Sequence, residues 1–225
     1  MKYTKIVIEY DEFPAKFNRT ILVKGNPDLF KLASFFAYVL NTQFCHCYYF
    51  ETESTEFVMS PFMEERGFKY SKYPANYHLS DLPNKFTFAY DTGSNYKFNC
   101  TILSKIDYDS KKGFVLLEAN GQGVWEDNHT SLYALLSNKI GPNYKEDDTY
   151  YLPWNFQNET FKDFFKPIDV NKINETLCSN FSRVLSQLRQ GEDEYIKQNN
   201  VSLEDIEPDY QKIKIFENLR KKFTK

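Results

Sequence analysis

The sequence predicts an α+β fold in which a mixed or antiparallel sheet packs against one N-terminal helix and is followed by a helical C-terminal extension. Three observations support this class. Two strand-like segments open the chain, an amphipathic helical segment follows them directly, and the last third of the chain changes to helical periodicity. With 225 residues, the chain is long enough for one substantial domain and an appendage.

The first two strands and the first helix have clear local signals. KIVIEY at 5–10 alternates in polarity, and RTILVKG at 19–25 is rich in β-branched residues, so we expect two paired strands with Pro14 in their connection. The segment NPDLFKLASFFAYVLN then predicts a helix with Asn26 as N-cap and Pro27 in its first turn. Its apolar positions recur at helical spacing, at Leu29, Phe30, Ala33, Phe36, Ala37 and Leu40.

The segment QFCHCYYFETE at 43–53 is the strongest candidate for metal chemistry by composition. Read as a strand, it has two faces: Phe44, His46, Tyr48 and Phe50 on one, and Cys45, Cys47 and Tyr49 on the other. The thiols and the imidazole then point apart, and no CxxC pair supplies further ligands, although Cys100 could approach the cysteine face. We therefore predict no metal and no cofactor, and we expect His46 to be a hydrogen-bonded core residue rather than a catalytic base.

The middle of the chain combines an irregular stretch with a hairpin. Residues 52–80 show no sustained period and are expected to form a long connection or insertion. KFTFAYDTGSNYKFNCTILSKI predicts a hairpin whose turn uses positive φ at Gly93 and a cap from Asp91. A further strand at 114–118, a glycine loop and a short helix at 131–139 follow.

The last third predicts helices. DVNKINETLCSNFSRVLSQLR has Asp169 as N-cap and one apolar stripe, formed by Ile173, Leu177, Phe181, Val184, Leu185 and Leu188. EPDYQKIKIFENLRKKFTK has Pro208 near a helix start, and its interspersed acids favour a solvated helix over a nucleic-acid arm. We therefore expect a domain at 1–177 and a helical tail at 178–225.

Composition limits the classes of function. Hydrophobic residues make up 41% of the chain and aromatic residues 18%, so most of it can be buried in a core. A net charge of -3 does not favour nucleic-acid binding. No apolar run is long enough to span a bilayer, and the acidic N-terminal sequence is unlike a signal peptide, so we expect a cytoplasmic protein without membrane contact. Four cysteines are too few for a disulfide scaffold.

Several segments, in a fixed order, resemble the family of small proteins named after the third open reading frame of an Agrobacterium root-inducing plasmid. These are PAKFNRTILV, HCYYF, HLSDL with FAYDTGSNYKF, GQGVWEDN and FKPIDVNKINETL, which together span roughly residues 3–177. The resemblance implies a compact, β-grasp-like α+β core and no settled activity. Some members are labelled resolvase-like, but a serine recombinase needs an N-terminal serine among arginines, and the first 30 residues hold no serine and only Arg19.

The sequence departs from the family pattern at several positions: Tyr96, Phe98, Val124 with Trp125, and Asn128 with His129 and Thr130. The carboxylates Asp91, Glu126 and Asp127 remain, and with His129 nearby they could form a small acidic cleft at one end of the sheet. The alternative is structural, with Asp91 capping its own turn and Glu126 and Asp127 capping the helix at 131.

The sequence favours a non-catalytic interaction protein, encoded by a phage, plasmid or other mobile element, that binds another protein. Aromatic enrichment is typical of interface cores, and no P-loop, G-x-G-x-x-G, G-x-S-x-G or H-E-x-x-H motif occurs. The candidate partner-binding residues are Tyr70, Tyr73, Tyr77, Trp125, Arg220, Lys221 and Lys222. The oligomeric state stays open.

Two other classes of function are alternatives. One is a small hydrolase or metal-dependent enzyme that uses an acidic loop cluster of Asp91, Glu126, Asp127 and His129, with His46 in support. It requires the carboxyl groups of Asp91 and Asp127 to lie within about 10 Å of each other. A weaker alternative is nucleic-acid binding through lysines and an arginine, at Lys69, Lys72, Arg220, Lys221 and Lys222.

Overall fold

This computed structural model describes residues 1–42, 46, 48–58, 71–72, 77–91, 93–156, 159–175 and 177. They form an α+β fold dominated by one eight-stranded sheet. The strands are β1 Lys2–Tyr10, β2 Asn18–Lys24, β3 Tyr48–Glu51, β4 Glu56–Val58, β5 Ser71–Lys72, β6 Lys85–Tyr90, β7 Tyr96–Asp107 and β8 Phe114–Asn120. The helices are α1 Leu29–Val39 and α2 His129–Leu136.

The strand order in the sheet is β5-β4-β3-β6-β7-β1-β2-β8, and every neighbouring pair is antiparallel except β4 with β5. The predicted pairing of the first two strands is confirmed, with Ile6 opposite Ile21. The predicted strand at 114–118 is confirmed as the core of β8. The β-grasp-like arrangement that the family resemblance implied stays a prediction.

Helix α1 covers the sheet with the apolar stripe that the sequence predicted, and all six positions of that stripe are buried. Phe36 contacts the rings of Phe50 and Phe88, at centroid distances of 6.0 and 5.2 Å. On the same helix, the ring of Phe35 stacks on that of Phe114 at 4.6 Å. Aromatic side chains therefore fill the space between helix and sheet, and each buries a large apolar area.

The N-cap of α1 is Asp28, not Asn26 as the sequence suggested. The Asp28 carboxylate accepts a hydrogen bond from the backbone N–H of Lys31 at 2.8 Å. The chain before the helix is extended, because Asp28 bridges to His78 and the N–H of Leu79 donates to the carbonyl of Pro27. This tertiary pairing delays the helix start, and a local cap signal could not reveal it.

Part of the predicted connection at 52–80 belongs to the sheet. β4 and β5 add two short edge strands, and Leu79–Asp81 forms a 3₁₀ turn. Strands of three and two residues are too short to show a period-two pattern, which explains why the sequence did not reveal them. Residues 59–70 and 73–76 lie outside the described part of the chain.

The predicted hairpin is confirmed as β6 and β7, but its turn differs from the prediction. Asp91 and Asn95 have positive φ, at 52° and 56°, and Gly93 is not among the positive-φ residues. Aspartate and asparagine tolerate the left-handed region because their short polar side chains bond locally. The glycine was therefore not needed for this conformation.

The described part of the C-terminal third docks on the core. Residues 170–175 are helical, and the Asp169 carboxylate accepts a hydrogen bond from the N–H of Lys172 at 3.0 Å, as an N-cap does. The side-chain amide of Asn174 bonds the N–H and the carbonyl of Leu116 in β8. The remainder of the predicted helical tail, 178–225, lies outside the described residues. No helix in the described part is both long and apolar enough to cross a bilayer.

Candidate functional site

The imidazole of His46 and the carboxylate of Asp91 meet because β3 and β6 are antiparallel neighbours. The register pairs Tyr48, the first residue of β3, with Tyr90, the last residue of β6. His46 lies just before β3, and Asp91 directly follows β6. Since the start of a strand and the end of its antiparallel partner share one edge of the sheet, both side chains lie at the same edge. We call it the site edge.

The loop at 121–128 begins at the same site edge. β7 starts at Tyr96, opposite Tyr90, so the antiparallel order carries this edge through β1 and β2 to β8. β8 ends at Asn120, which is paired with Asn18, the first residue of β2. The sheet topology thus brings segments that are far apart in the sequence to one edge.

A buried arginine holds the loop in position. The guanidinium of Arg19 donates to the carbonyls of Val39 at 2.6 Å, Asn120 at 2.5 Å and Gly121 at 2.8 Å. Further bonds run to the carbonyls of Asn18 and Gln122. Burial lowers the pKa of Arg19 to about 9. The five carbonyls belong to three segments, so one side chain joins the end of α1 to β2 and to the start of the loop.

Trp125 anchors the loop in the core. Its side chain is 1% exposed and contacts the rings of Phe156, Phe161 and Phe164. Its carbonyl accepts a hydrogen bond from the Tyr96 hydroxyl at 2.8 Å. The sequence suggested Trp125 as a partner-binding residue, and burial shows this to be wrong. The indole instead fixes the backbone next to Glu126.

The imidazole of His46 lies among three carboxylates. Its Nδ1 is 3.7 Å from Asp91 Oδ1, and its Nε2 is 3.5 Å from Glu126 Oε2 and 3.1 Å from Asp127 Oδ1. Ligand atoms of His46, Asp91 and Glu126 all lie within 4.8 Å of one another. Because the Asp91 and Asp127 carboxylates contact the same imidazole ring, they fall within the about 10 Å that a shared site requires.

The environment of His46 differs from the sequence expectation. His46 precedes β3 instead of lying within a longer strand, and its side chain is 24% exposed. One ring contact runs to Tyr90, and carboxylates supply its other close neighbours among the described residues. The expectation of a core residue among aromatic neighbours is therefore wrong. Phe44, Cys45 and Cys47 lie outside the described residues.

Asp91 has both a structural contact and an unused oxygen. Its Oδ1 accepts a hydrogen bond from the N–H of Ser94 at 3.1 Å, which is the turn cap that the sequence suggested. Its Oδ2 is buried and has no hydrogen-bond partner among the described residues. A buried carboxylate oxygen without a partner is costly, and such a group calls for an explanation such as a bound ion.

Glu126 and Asp127 do not cap the helix that follows them. The N-cap of α2 is Asn128, whose side chain accepts from the N–H of Ser131 at 3.2 Å, so the capping interpretation of the two acids is wrong. Glu126 is buried, and both of its carboxylate oxygens lie within hydrogen-bonding distance of the Tyr90 hydroxyl, at 3.1 and 3.2 Å. The Asp127 side chain is 61% exposed. The cluster therefore has a buried interior and one open side.

His129 does not join this cluster in the way the sequence suggested. Its Nε2 lies 2.7 Å from the Tyr10 hydroxyl and 3.2 Å from Glu12 Oε2. Burial, aided by the bond to Glu12, raises the pKa of Tyr10 well above its usual range. Tyr96 adjoins both groups: its ring contacts that of His129 at 5.1 Å, and Asp91 and Glu126 help to raise its pKa after the larger effect of burial.

No local pattern marks Glu12, Tyr90 or Arg19 as contributors to this edge, because each contacts residues that only the fold brings close. Cys100, the free cysteine that the structure describes, is buried on the sheet, and burial raises the pKa of its thiol. Of the other partner-binding candidates, Tyr77 is half-buried against Phe57. The side chains of Tyr70, Tyr73, Lys69, Lys72, Arg220, Lys221 and Lys222 lie outside the described part of the chain.

The fold and the site define an α+β protein with a histidine–carboxylate cluster at one edge of a largely antiparallel sheet. The chain belongs to the family of plasmid pRiA4b ORF-3-like proteins, whose model matches residues 2–171 and confirms the predicted resemblance. Among solved structures, it is similar to a protein of unknown function from Methanosarcina mazei Go1. The two are 14% identical with a TM-score of 0.46, over 68% of this chain and 96% of the other. No curated protein matches the chain.

Proposed function

We propose that this protein is a metal-dependent hydrolase that holds a divalent cation between His46, Asp91 and Glu126. The observation that carries the proposal is the convergence of one imidazole and two buried carboxylates, together with the unpartnered Oδ2 of Asp91. A carboxylate cluster alone would be weak support. A buried oxygen that lacks a hydrogen bond, in a group of side chains with the separation of metal ligands, is a more specific sign of an ion.

Electrostatics also support a cation at this position. Asp91 and Glu126 are both buried beside the same imidazole, and Asp127 adds a third carboxyl group to it. Even a protonated His46 would leave an excess of negative charge in the cluster. A divalent ion supplies the positive charge that these side chains require when ionised.

The donor atoms favour Zn²⁺ or Mn²⁺. One imidazole nitrogen suits zinc, and carboxylate oxygens suit both zinc and manganese. The 3.5 Å between His46 Nε2 and Glu126 Oε2 is compatible with two ligands that each bind one ion at about 2.0 to 2.2 Å. Three protein ligands leave a coordination position for water, which is the arrangement of catalytic rather than structural zinc sites.

Asp127 is suited to act as the general base. Its carboxylate lies on the open side of the cluster, and its Oδ1 is 3.1 Å from His46 Nε2. A bound Zn²⁺ or Mn²⁺ ion would acidify a coordinated water, and the Asp127 carboxylate would then be placed to accept its proton. The Trp154 indole N–H donates to Asp127 Oδ2 at 3.4 Å and orients this carboxylate. These roles together support hydrolysis.

The interaction protein that the sequence favoured and the nucleic-acid alternative stay predictions. Most residues selected for them lie outside the described part of the chain, and Trp125 is buried. The site edge favours the enzyme alternative, because it meets the distance condition for Asp91 and Asp127. The enzyme is therefore preferred over the interaction protein because of distances between side chains, which the periodicity of the sequence does not reveal.

The proposal is tested by calorimetric titration of the chelator-treated protein with ZnCl₂ and with MnCl₂. We expect one ion per chain. His46→Gln, Asp91→Asn and Glu126→Gln should each weaken binding at least tenfold, whereas Asp127→Asn should retain binding and lose turnover of p-nitrophenyl ester and phosphodiester substrates.

A matched control comes from the second histidine and carboxylate at the same edge. His129→Gln and Glu12→Gln remove the same chemical groups from residues outside the proposed ligand set, so both variants should bind the ion like the wild type. Failure of the wild type to bind either ion, or equal weakening in the His129 variant, would contradict the proposal.

A further inference from the structure

Two exposed aromatic side chains belong to one segment, whose backbone contacts the loop of the site. Trp154 is 49% exposed and Tyr151 is 46% exposed. The Trp154 indole N–H donates to Asp127, so its ring lies next to an accessible carboxylate. Tryptophan is enriched among the residues that contribute most to protein–protein binding.

Backbone contacts hold this segment firmly. The carbonyl of Tyr151 accepts from the Asn128 side chain at 2.7 Å, and its N–H donates to the Ser131 hydroxyl at 3.2 Å. Trp154–Phe156 forms a 3₁₀ turn whose Asn155 side chain bonds both Val124 and Glu126 in the loop of the site. The aromatic side chains are therefore presented by ordered backbone, and their exposure is a property of the fold.

The surrounding charge is mainly negative. The neighbouring turn carries Glu146, Asp147 and Asp148 with one cation, Lys145. Glu146 accepts from the N–H of Leu152 at 2.9 Å, which places this acidic turn against the segment of Tyr151. A second cation, Lys139, lies over the ring of Tyr150 at 5.2 Å. Together with Asp127, the loop of the site and this turn thus carry four carboxylates, against the two lysines at 139 and 145.

We propose that the surface of Trp154 and Asp127 binds an arginine or lysine side chain of a partner protein. The face of tryptophan attracts cations, and a guanidinium can stack on the ring while its N–H groups pair with a carboxylate. The excess of carboxylates repels phosphate, which disfavours nucleic acids and anionic membranes at this position. The inference does not depend on a bound metal ion.

The test is fluorescence anisotropy of a labelled hexa-arginine peptide with the full chain in the presence of chelator. The wild type should bind the peptide, and Trp154→Ala should weaken binding between about threefold and thirtyfold, in line with cation–π interactions. Trp154→Phe should recover part of the affinity because it restores a ring. Phe165→Ala, which removes another exposed aromatic side chain, is the control and should bind like the wild type.

Intrinsic fluorescence gives a second readout. Of the two tryptophans, Trp154 is exposed and Trp125 is buried, so the uncharged quencher acrylamide should quench mainly Trp154, and the peptide should protect it. Equal affinity of the Trp154→Ala and Phe165→Ala variants would overturn the inference. Protection by a single-stranded oligonucleotide, without protection by hexa-arginine, would also overturn it and would identify a polyanion site instead.

Discussion

The imidazole of His46 lies 3.7 Å from the carboxylate of Asp91, across the ends of two antiparallel strands. This contact follows from the register of β3 and β6, in which Tyr48 faces Tyr90. Within the part of the chain that the structure describes, one buried oxygen of the Asp91 carboxylate has no hydrogen bond. One oxygen of Asp91 stabilises the turn, whereas the other lowers the stability of the metal-free protein. Functional sites often contain residues of this kind, because binding requires groups that folding alone does not favour.

Asp91→Asn is expected to stabilise the metal-free protein by about 1 kcal/mol. Asparagine retains the acceptor for the Ser94 N–H and tolerates the positive φ of this position, so the substitution removes little but the buried charge. Urea denaturation in the presence of chelator measures this difference. A less stable variant would contradict the view that this carboxylate lowers the stability of the metal-free protein.

Added metal should make the wild type more stable than the Asp91→Asn variant. An ion that binds only the folded state stabilises it by about 2.7 kcal/mol at a hundredfold excess over Kd. For a chain of this size the melting temperature should rise by roughly 5 to 10 °C in the wild type, and by about half as much or less in Asp91→Asn, because its affinity is at least tenfold weaker. Thermal denaturation with and without ZnCl₂ provides the measurement, and equal shifts in both proteins would argue against Asp91 as a ligand.

Gly123→Ala should displace the loop of the site. A Cβ at this position would lie 2.6 Å from Asn41 Cβ and 2.9 Å from the carbonyl oxygen of Leu40. Since the second contact is backbone, the loop must move away from the end of α1, at a cost of about 1 to 3 kcal/mol and with weaker metal binding. Gly113→Ala is the matched control because a Cβ there meets nothing within 4 Å. Equal stability of the two variants would refute the close approach.

Arg19→Met should reduce the free energy of unfolding by about 3 kcal/mol or more. The substitution retains an apolar stem of similar length but leaves buried carbonyls of three segments without their donor. Lys105→Met, at an exposed position, should have little effect in the same urea titration. Arg19→Lys should recover only part of the loss, because an ammonium group cannot reproduce the planar fork.

Tyr10→Phe should change how stability depends on alkaline pH. Burial raises the pKa of Tyr10 above its ordinary value of 10.0, so above about pH 10 the unfolded chain loses the phenolic proton while the folded protein keeps it. The unfolded state then binds fewer protons, and stability falls by about 1.4 kcal/mol per pH unit for each such phenol.

The variant lacks this proton, so its free energy of unfolding should fall less steeply above pH 10 than that of the wild type. The slope is the readout, because loss of the contacts with Glu12 and His129 lowers stability at every pH. Tyr151→Phe, at an exposed position, is the control. Parallel pH profiles for the wild type and Tyr10→Phe would contradict the prediction.

Much of the fold was predictable because its signals are local. Alternation along β1, the apolar stripe of α1 and the turn between β6 and β7 each lie within a short window of sequence. Edge strands β4 and β5 were not predictable, since their few residues pair with neighbours that only the assembled sheet provides. The helix start at Asp28 was missed for the same reason.

The residues of the candidate site were likewise predictable only in part. The sequence identified Asp91, Glu126 and Asp127 as carboxylates in two loops, but it placed His46 in the core and His129 in the cleft. The structure places His46 among the carboxylates and pairs His129 with Tyr10. Which histidine joins which loop depends on strand order, and periodicity within a strand carries no information about strand order.

The sequence by itself determined the α+β class, the family, the buried face of α1 and the presence of acidic loops, because residue type and spacing act over a few residues. Only the tertiary structure decided that His46, Asp91 and Glu126 share one edge and that Trp125 is buried while Trp154 is exposed. The physical reason is that antiparallel register joins distant segments, and the burial of a side chain depends on everything that packs around it.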